Sequence, residues 1–403
     1  MKRLERKEYL RKLDAFRDKQ LIKVITGVRR CGKSTLLEMY QEKLRQNGVA
    51  PEQIIAVNLE DFDFFPLRKA AALHTYVKER LAPDRMTYVF VDEIQHCKDF
   101  PEAIASLYLR KNVDIYLTGS NAYMMSGEIA SLLSGRYVEI KMLPLSFREY
   151  VSASESEEDL PRKYREYLAG SSFPYALELK DNPAAVRDYL EGLYHTIVVK
   201  DISARQKISD PLMLESVARF LFDNIGNPLS TKKIADTMTS SGRKIDVKTV
   251  ERYVSGLTDA CILYRAGRYN IRGKQHLKTL EKYYAVDIGM RYMLLGQSGA
   301  DIGHILENVV YLELLRRDYE VYVGKIETLE VDFVAIDQTG PLYIQVAASV
   351  RDKATLEREL APLEKIADNY PKAILTLDED PDGDYEGIRR INALDWFVGK
   401  AEI

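Results

Sequence analysis

The sequence predicts an α/β fold whose first 150 residues contain a parallel sheet. Short apolar runs alternate there with helical patterns, as where "LIKVIT" (21–26) precedes "STLLEMYQEKLRQNG" (34–48). A nearly continuous apolar run, such as "TYVFVDEI" (87–94), is typical of a strand that is buried on both faces. Polar groups follow several of these runs directly. Because parallel strands are joined by crossover connections, the alternation favours helices packed on both faces of one sheet.

Five strands are predicted in this region, and helices lie between them. The strands are 21–26, 53–60, 87–94, 113–122 and 136–143. Helical spacing of apolar residues is found in segments 34–48, 71–81 and 100–110. Ligands of such sheets bind beyond the carboxyl ends of the strands. We therefore expect the functional side chains to follow the strands.

Composition limits the class of protein. The chain has 403 residues, enough for two or three ordinary domains. Lys and Arg total 58 against 61 Asp and Glu, so the net charge of -3 does not indicate a protein that coats nucleic acid. Cys31, Cys97 and Cys261 are far apart, which favours reduced thiols without a disulfide or zinc site. No apolar segment has the length of a signal-peptide core or a membrane span, so we expect a cytoplasmic protein without a membrane partner.

The segment "GVRRCGKST" (27–35) follows the first predicted strand and begins the first long helix. Its G-x-x-x-x-G-K-S spacing is that of a loop that wraps the phosphates of a nucleotide with backbone amides. The helix that follows adds the partial positive charge of its N-terminus. We therefore predict an ATP-binding loop. Its residues are Gly27, Val28, Arg29, Arg30, Cys31, Gly32, Lys33, Ser34 and Thr35.

Four residues of this region are expected to carry the chemistry. Lys33 is predicted to contact the β- and γ-phosphates, and Ser34 to bind Mg²⁺. Asp92 and Glu93 end the third strand. Asp92 is predicted to hold a water molecule of the Mg²⁺ ion, and Glu93 to be the general base for the attacking water. The alternative is that these two carboxylates merely begin a solvated loop.

Two further polar groups flank the sheet. In "LTGSNA", Ser120 or Asn121 is predicted to orient the attacking water, with Thr118 as another possibility and an ordinary strand cap as the alternative. Arg136 precedes the fifth strand. There its guanidinium is a candidate to stabilise the γ-phosphate of a neighbouring subunit, and a structural ion pair is the alternative.

Together, "GVRRCGKST", "VFVDEIQ", "LTGSNA", "LLSGR" and "LPLSFREY" resemble the AAA+-related P-loop ATPases of bacteria and archaea. The resemblance implies that Lys33 is the Walker A lysine and that Asp92 and Glu93 form Walker B. It implies that the polar group after the fourth strand is sensor 1, and that Arg136 is an arginine finger, which requires a homo-oligomer. It also implies a helical lid. There "GSSFP" (170–174) is similar to the family's G-G-x-P, with Ser171 in place of the second glycine.

The middle of the chain is predicted to be a winged-helix-like domain. A polar linker at 154–163 and several helices precede it. Helical patterns at 211–226, 230–242 and 246–263 are then followed by the strand patterns "LYRAGRY" and "KYYAVD". Such a unit binds DNA through its third helix. The exposed face of that helix mixes Lys248 and Arg252 with acidic residues, so binding to DNA and contact with protein both stay open.

The last hundred residues resemble a degenerate restriction-endonuclease-like domain of the PD-(D/E)xK type. Glu307, Asp332 and "QVA" (345–347) follow the order E…D…(E/Q)-x-K. In that fold the carboxylates gather a divalent metal and the lysine supports the attacking water. Ala347 replaces the lysine and Gln345 is neutral. We therefore expect a binding or regulatory module, and leave open whether Glu307 and Asp332 bind a metal.

The sequence thus predicts a Mg²⁺-dependent ATPase that couples ATP hydrolysis to a conformational change on a partner. A nucleotide-gated switch with negligible turnover is one alternative, and an ATP-dependent protein that binds or cleaves nucleic acid is another. The predicted domains are an ATPase core at 1–150, a helical lid at 151–208, a winged-helix-like domain at 209–296 and a degenerate nuclease-like domain at 297–403.

Overall fold

The chain divides into two compact units. A computed structural model describes residues 4–119, 133–153, 159–297 and 301–403. The first unit comprises Met1–Pro144 with Asp259–Cys261, and the second comprises Leu145–Thr258 with Ile262–Ile403. The predicted lid, winged-helix-like and nuclease-like segments therefore fall almost entirely in one unit. Their separate boundaries stay a prediction.

The first unit is a parallel sheet with helices in its connections. Its elements are α1 (Lys7–Ala15), β1 (Ile22–Thr26), α2 (Lys33–Gln46), β2 (Ile54–Asn58), α3 (Ala70–Lys78), β3 (Thr87–Asp92), α4 (Phe100–Tyr108), β4 (Val113–Gly119) and β5 (Tyr137–Lys141). The strand order is β2-β3-β4-β1-β5, and all four pairings are parallel. The α/β fold class and the five strands predicted from the sequence are confirmed.

The three central strands form the core of this unit. Every residue of β1, β3 and β4 is buried, whereas β2 and β5 at the sheet edges are partly exposed. On one face, the rings of Phe90 and Tyr116 stack with centroids 4.7 Å apart. Ile25 pairs with Thr118, so the carboxyl ends of β1 and β4 lie at the same level. The register therefore places the groups that follow these strands at one edge of the sheet.

The second unit begins with helices. They are α5 (Phe147–Ser152), α6 (Leu160–Gly170), α7 (Pro183–Tyr194), α8 (Ser203–Gln206), α9 (Pro211–Asp223), α10 (Thr231–Ser240), α11 (Val247–Asp259) and α12 (Ile288–Leu295), with a π-helical segment at His195–Ile202. The predicted bound of the polar linker at 154–163 is wrong at its C-terminal end, because a helix begins at Leu160. Asp159 caps α6 by accepting a hydrogen bond from the Arg162 amide, so the helix begins inside that segment. Among the described helices, none is both long and apolar enough to span a membrane.

The turn after α6 shows how the chain tolerates Ser171 where the resemblance implied a glycine. Ser171 has a φ of 81°, in the region that favours glycine. The carboxylate of Asp287 accepts hydrogen bonds from the Ser172 amide at 2.6 Å and from its hydroxyl at 2.7 Å. Asp287 also caps α12 through the Met290 amide. These bonds stabilise a backbone conformation that serine adopts at a cost.

An eight-stranded mixed sheet completes this unit. Its elements are β6 (Leu263–Asn270), β7 (Gln275–Ala285), α13 (Ile302–Arg316), β8 (Glu320–Ile326), β9 (Leu329–Asp337), β10 (Gly340–Ala347), α14 (Lys353–Glu364), β11 (Lys372–Thr376), β12 (Gly383–Tyr385), β13 (Ile388–Asn392) and α15 (Ala393–Val398). The strand order is β12-β13-β11-β10-β9-β8-β6-β7.

The β6–β7 hairpin, which the sequence assigned to a wing, is part of this sheet. β6 pairs in parallel with β8, with Arg268 opposite Val323. The hairpin also contacts the helices, because Leu229 before α10 forms a two-way backbone bridge with Glu281 at 2.8 and 3.0 Å. One hairpin thus joins the helical segment to the C-terminal sheet. The assignment of these helices to a winged helix stays a prediction.

Replacement of Gly27 by Ala is expected to destabilise the first unit. A Cβ at Gly27 would lie 2.1 Å from the Met142 carbonyl oxygen, and the φ of 151° disfavours a side chain. We expect a loss of roughly 2–4 kcal/mol in the free energy of unfolding, measured by urea denaturation. Gly192→Ala is the matched control, because nothing lies within 4 Å of its Cβ position. Equal unfolding midpoints for Gly27→Ala and the wild type would show that the loop does not need this close approach.

Candidate active site

The loop between β1 and α2 is held in a tight conformation by two glycines. Gly27 packs directly against the backbone of Met142, whose amide donates a hydrogen bond to Thr26 at 2.7 Å. Gly32 is the N-cap residue of α2 and has a φ of 104°. Because glycine has no capping side chain, the first amides of α2 stay available to a ligand. An anion is the ligand that such a helix N-terminus favours.

Lys33 lies inside this loop. It is the first residue of α2, and its side chain is buried. The ammonium group donates hydrogen bonds of 3.1 Å to the carbonyl oxygens of Gly27 and Val28. These neutral acceptors hold the charge more weakly than a phosphate oxygen would. The lysine is therefore placed to exchange them for an anionic ligand.

Asp92 at the end of β3 contacts both neighbouring parts of the site. The hydroxyl of Thr118, from β4, donates a hydrogen bond to its carboxylate, and the Ser34 hydroxyl donates another. Burial is the main reason that the pKa of Asp92 is raised, and the two hydroxyl hydrogen bonds act in the opposite direction. A nearby cation would favour the ionised carboxylate further.

Glu93 follows in a left-handed backbone conformation, with φ 53° and ψ 50°. Its amide donates a hydrogen bond of 2.9 Å to the Thr118 hydroxyl. Its carboxylate accepts a hydrogen bond from the side-chain amide of Gln95. This backbone conformation is uncommon for glutamate, and such residues cluster at functional sites. Thr118 thus fixes the geometry of both Asp92 and Glu93.

These residues fit a bound Mg²⁺ ion. Mg²⁺ prefers oxygen ligands and uses few carboxylates, keeping several of its waters. The Ser34 hydroxyl is hydrogen-bonded to the Asp92 carboxylate, so one ion could contact oxygen atoms of both residues. Lys33 is close enough to lower the pKa of Asp92. The donor set therefore suits a magnesium ion that is shared with phosphate.

A second group of possible metal ligands lies beside Glu93. Ligand atoms of Glu60, Glu93 and His96 all lie within 4.8 Å of one another. Glu60 also forms an ion pair with Arg29 of the glycine loop at 3.3 Å. The sequence analysis missed this group, since Glu60 follows β2 and is distant in sequence. The parallel pairing of β2 with β3 was the signal that could have identified it.

The predicted site residues separate into those that meet and those that do not. Lys33, Ser34, Asp92 and Glu93 come together at the carboxyl edge of the sheet, and Thr118, the alternative named beside Ser120 and Asn121, joins them. Ser120 and Asn121 lie outside the described residues. Thr35 and Arg30 of the loop are exposed.

Arg136 lies at the amino ends of the strands, opposite to the end that carries the glycine loop. It immediately precedes β5, whose first residue pairs with the first residue of β1. Its guanidinium lies 5.6 Å from the centroid of the Tyr108 ring. The amino ends of parallel strands face away from the glycine loop. Arg136 therefore does not contribute to this chain's own site, and its role toward a neighbouring subunit stays a prediction.

Arg6 supports the loop and was missed by the sequence analysis. It is buried, and its guanidinium donates hydrogen bonds to the carbonyl oxygens of Cys31 at 3.2 Å and Leu143 at 2.8 Å. Tyr9 accepts a hydrogen bond of 3.0 Å from the Leu143 amide. Nothing in the amphipathic pattern of α1 distinguishes Arg6 from its exposed basic neighbours.

The residues of the nuclease-like pattern, Glu307, Asp332 and Gln345, also lie close together in the structure. Gln345 accepts a hydrogen bond from the Asp332 amide at 2.7 Å and donates one to Glu359 at 2.8 Å. Burial, with the negative charge of Glu307, raises the pKa of Asp332 to about 7. Ala347 is buried at the end of β10 and offers no polar group. Gln345 therefore has a structural role.

Comparison with known proteins agrees with this geometry. An AAA-domain family model matches residues 19–151, and a model for a domain of unknown function matches residues 161–301. An uncharacterized protein of Haemophilus influenzae is 39% identical over 399 residues, which are 98% of each chain. An uncharacterized protein of Methanocaldococcus jannaschii is 26% identical over 381 residues, covering 89% of this chain and 82% of the relative.

Among solved structures, a Walker-type ATPase of Pyrococcus abyssi is similar with a TM-score of 0.49 and 17% identity, covering 72% of this chain and 96% of that one. The full-length relative and the AAA-domain match, together with the parallel sheet and its glycine loop, show that this chain belongs to the AAA+-related P-loop ATPases.

Thr118→Val is expected to destabilise the site, because it removes a buried hydroxyl that serves both Asp92 and Glu93. The Asp92 carboxylate and the Glu93 amide would each lose a hydrogen-bond partner at an interior position. We expect a loss of about 1–3 kcal/mol in the free energy of unfolding, measured by urea denaturation. Thr118→Ser keeps the hydroxyl and is the matched control. An unfolding free energy of Thr118→Val equal to that of the wild type would show that the hydroxyl does not stabilise the site.

Proposed function

We propose that this chain hydrolyses ATP in a Mg²⁺-dependent reaction and couples hydrolysis to a conformational change. The observation that supports this most is the meeting of four groups at one sheet edge. Lys33, Ser34, Asp92 and Glu93 come from a glycine loop and a strand end, and Thr118 fixes two of them. Each group has a distinct use in phosphoryl transfer to water.

The phosphates would bind in the glycine loop. The first amides of α2 and the Lys33 ammonium supply positive charge, and the lysine would exchange the Gly27 and Val28 carbonyls for phosphate oxygens. Ser34 and Asp92 would hold Mg²⁺, which when bound neutralises charge on the phosphate oxygens. Buried surroundings strengthen these interactions, because Lys33 and Asp92 are both screened from water.

Glu93 is the proposed general base. Its carboxylate takes a proton from the attacking water as the water oxygen bonds to the γ-phosphorus. The bond between that phosphorus and the bridging oxygen then breaks, and ADP leaves with the bridging oxygen. The Glu93 amide donates a hydrogen bond of 2.9 Å to the Thr118 hydroxyl, and this bond fixes the position of the general base.

One observation favours a gated form of this activity. The Gln95 side chain donates a hydrogen bond to the Glu93 carboxylate and so uses one of its oxygens. A carboxylate oxygen that is occupied in this way is not available to accept a proton from the attacking water. A nucleotide-gated switch with slow turnover is therefore the second candidate. Release of Glu93 from Gln95 by a partner would then start hydrolysis.

The partners are proposed from other residues. Arg136 lies away from this chain's own loop, so as an arginine finger it would act on a neighbouring copy in a homo-oligomer. DNA is proposed as a partner of the helices α9–α11 and their hairpin. Lys248 and Arg252 are exposed on α11 beside Glu251, so the charge of this surface is mixed. Stimulation of turnover by DNA would favour this partner.

Phosphate release from ATP and Mg²⁺ tests the proposal. We expect the wild type to turn over and Glu93→Gln to lose at least about a hundredfold in kcat, as removal of a general base does. Lys33→Ala is expected to lose nucleotide binding as well, measured by titration with a fluorescent ATP analogue. Gln95→Ala is expected to raise kcat if the Gln95 hydrogen bond restrains Glu93.

Two exposed positions of the same unit are the matched controls. Lys78→Ala and Glu102→Gln make the same changes on α3 and α4, where both side chains are exposed. They should leave kcat within twofold of the wild type, since neither contacts the site. Binding of ATP without any phosphate release, with or without DNA, would contradict the hydrolase and support the switch. Equal activity of Glu93→Gln and the wild type would remove Glu93 from the mechanism.

A further inference from the structure

Lys282 on β7 is surrounded by carboxylates inside the C-terminal sheet. It is only 3% exposed. Its ammonium nitrogen lies 2.9 Å from Glu307 Oε1, 2.9 Å from Glu330 Oε1 and 3.7 Å from Asp332 Oδ1. Glu307 comes from α13, whereas Glu330 and Asp332 come from β9. Carboxylates from two separate segments of the chain therefore converge on a buried cation that a third segment supplies.

The carboxylates around Lys282 are held in place by other groups. Glu307 also accepts a hydrogen bond of 2.7 Å from the Tyr284 hydroxyl. Asp332 accepts one of 2.9 Å from the Val346 amide. Burial alone would raise the pKa of Glu307, yet the Lys282 ammonium, together with hydrogen bonds from His304 and Tyr284, brings that pKa below its usual range. The arrangement is thus a built site for a cation.

We infer that the Lys282 ammonium occupies the place that a divalent cation would take between Glu307, Glu330 and Asp332. The wild-type chain therefore binds no divalent metal with these carboxylates, and removal of the ammonium opens a site for a cation that prefers oxygen ligands. This inference goes beyond the ATPase proposal and does not depend on it. It accounts for the two carboxylates of the nuclease-like pattern without a nuclease.

Charge and distance support this assignment. A divalent cation would need the same oxygen atoms that now lie 2.9 Å from the ammonium nitrogen. Two cations at one buried position would repel each other strongly. A lysine that merely supported an attacking water would instead stand beside a metal and leave those oxygens free. Since Lys282 contacts both Glu307 and Glu330 directly, it replaces the metal.

The lysine also explains how the β6–β7 hairpin is fixed. An ammonium group has three donors, and three carboxylates surround it. The ion pairs connect β7 to α13 and β9, which are the elements that a shared metal would otherwise connect. The covalently attached cation makes this connection independent of the metal supply. Loss of Lys282 would leave the buried Glu307 carboxylate beside the partly exposed carboxylates of Glu330 and Asp332, and these charges repel one another.

The test is a titration of the nucleotide-free chain with Mn²⁺. Binding is measured as the decrease in the electron paramagnetic resonance signal of free Mn²⁺. We expect Lys282→Ala to bind one more Mn²⁺ per chain than the wild type. That extra site should be lost in the double variant Lys282→Ala/Glu307→Gln. Lys353→Ala is the matched control, because its side chain is 89% exposed on α14. It should bind as the wild type does.

Thermal unfolding gives a second measurement. Lys282→Ala should melt below the wild type without metal, and Mn²⁺ should raise its melting temperature by about 4–8 °C more than that of the wild type. Lys282→Met keeps the volume of the side chain and should also melt below the wild type, since it removes the same charge. If Lys282→Ala does not fold alone, refolding that requires Mn²⁺ supports the inference, and failure with Mn²⁺ contradicts it.

The wild type itself can overturn the inference. Glu330→Gln in an otherwise unchanged chain should leave Mn²⁺ binding unaltered, because Glu307 and Glu330 of the wild type bind the Lys282 ammonium and no metal. A loss of one Mn²⁺ site in that variant would show that the metal binds beside Lys282. Mn²⁺-dependent cleavage of DNA or RNA by the wild type that disappears in Glu330→Gln would do the same. A folded Lys282→Ala chain that gains no Mn²⁺ site would also contradict it.

Discussion

Parallel pairing of β1, β3 and β4 is the constraint on which the candidate active site depends. β4 lies between the other two strands, and its Thr118 pairs with Ile25 of β1. The glycine loop, the Thr118 hydroxyl and Asp92 therefore meet at one level. A slip of one residue in β4 would turn Thr118 to the opposite face of the sheet. Asp92 and Glu93 would then both lose the group that orients them.

Lys23 in the first sheet and Lys282 in the C-terminal sheet are buried lysines that are paired with carboxylates. Inside the first sheet, Lys23 forms an ion pair with Asp114, which also accepts a hydrogen bond of 2.9 Å from the Tyr116 hydroxyl. In the C-terminal sheet, Lys282 serves several carboxylates at once. Removal of one partner from such a pair typically costs about 3–5 kcal/mol, because it leaves an uncompensated charge. Lys23 and Lys282 are therefore structural, whereas Lys33 is held by carbonyl groups that a ligand can replace.

Local patterns predicted the parallel sheet and the residues that follow its strands, because an apolar run or a glycine spacing involves only a few consecutive residues. They could not predict contacts between distant segments. The ion pair of Lys282 with Glu307 requires that β7 and α13 already be packed together. The contact of Arg6 with the Cys31 carbonyl depends on the path of the chain before β1. The sequence places Arg136 beside an edge strand, and the parallel pairing of β5 with β1 places it at the amino ends of the strands, away from the glycine loop.

Calorimetric titration of ATP tests most directly the proposal that Ser34 and Asp92 bind Mg²⁺ together with ATP. The chain should bind ATP at least about tenfold more tightly with Mg²⁺ than with EDTA, because the metal neutralises charge between phosphate and Asp92. Asp92→Asn should lose this difference and still bind ATP in EDTA. Equal affinity of the wild type with and without Mg²⁺, or an undiminished Mg²⁺ effect in Asp92→Asn, would contradict the account.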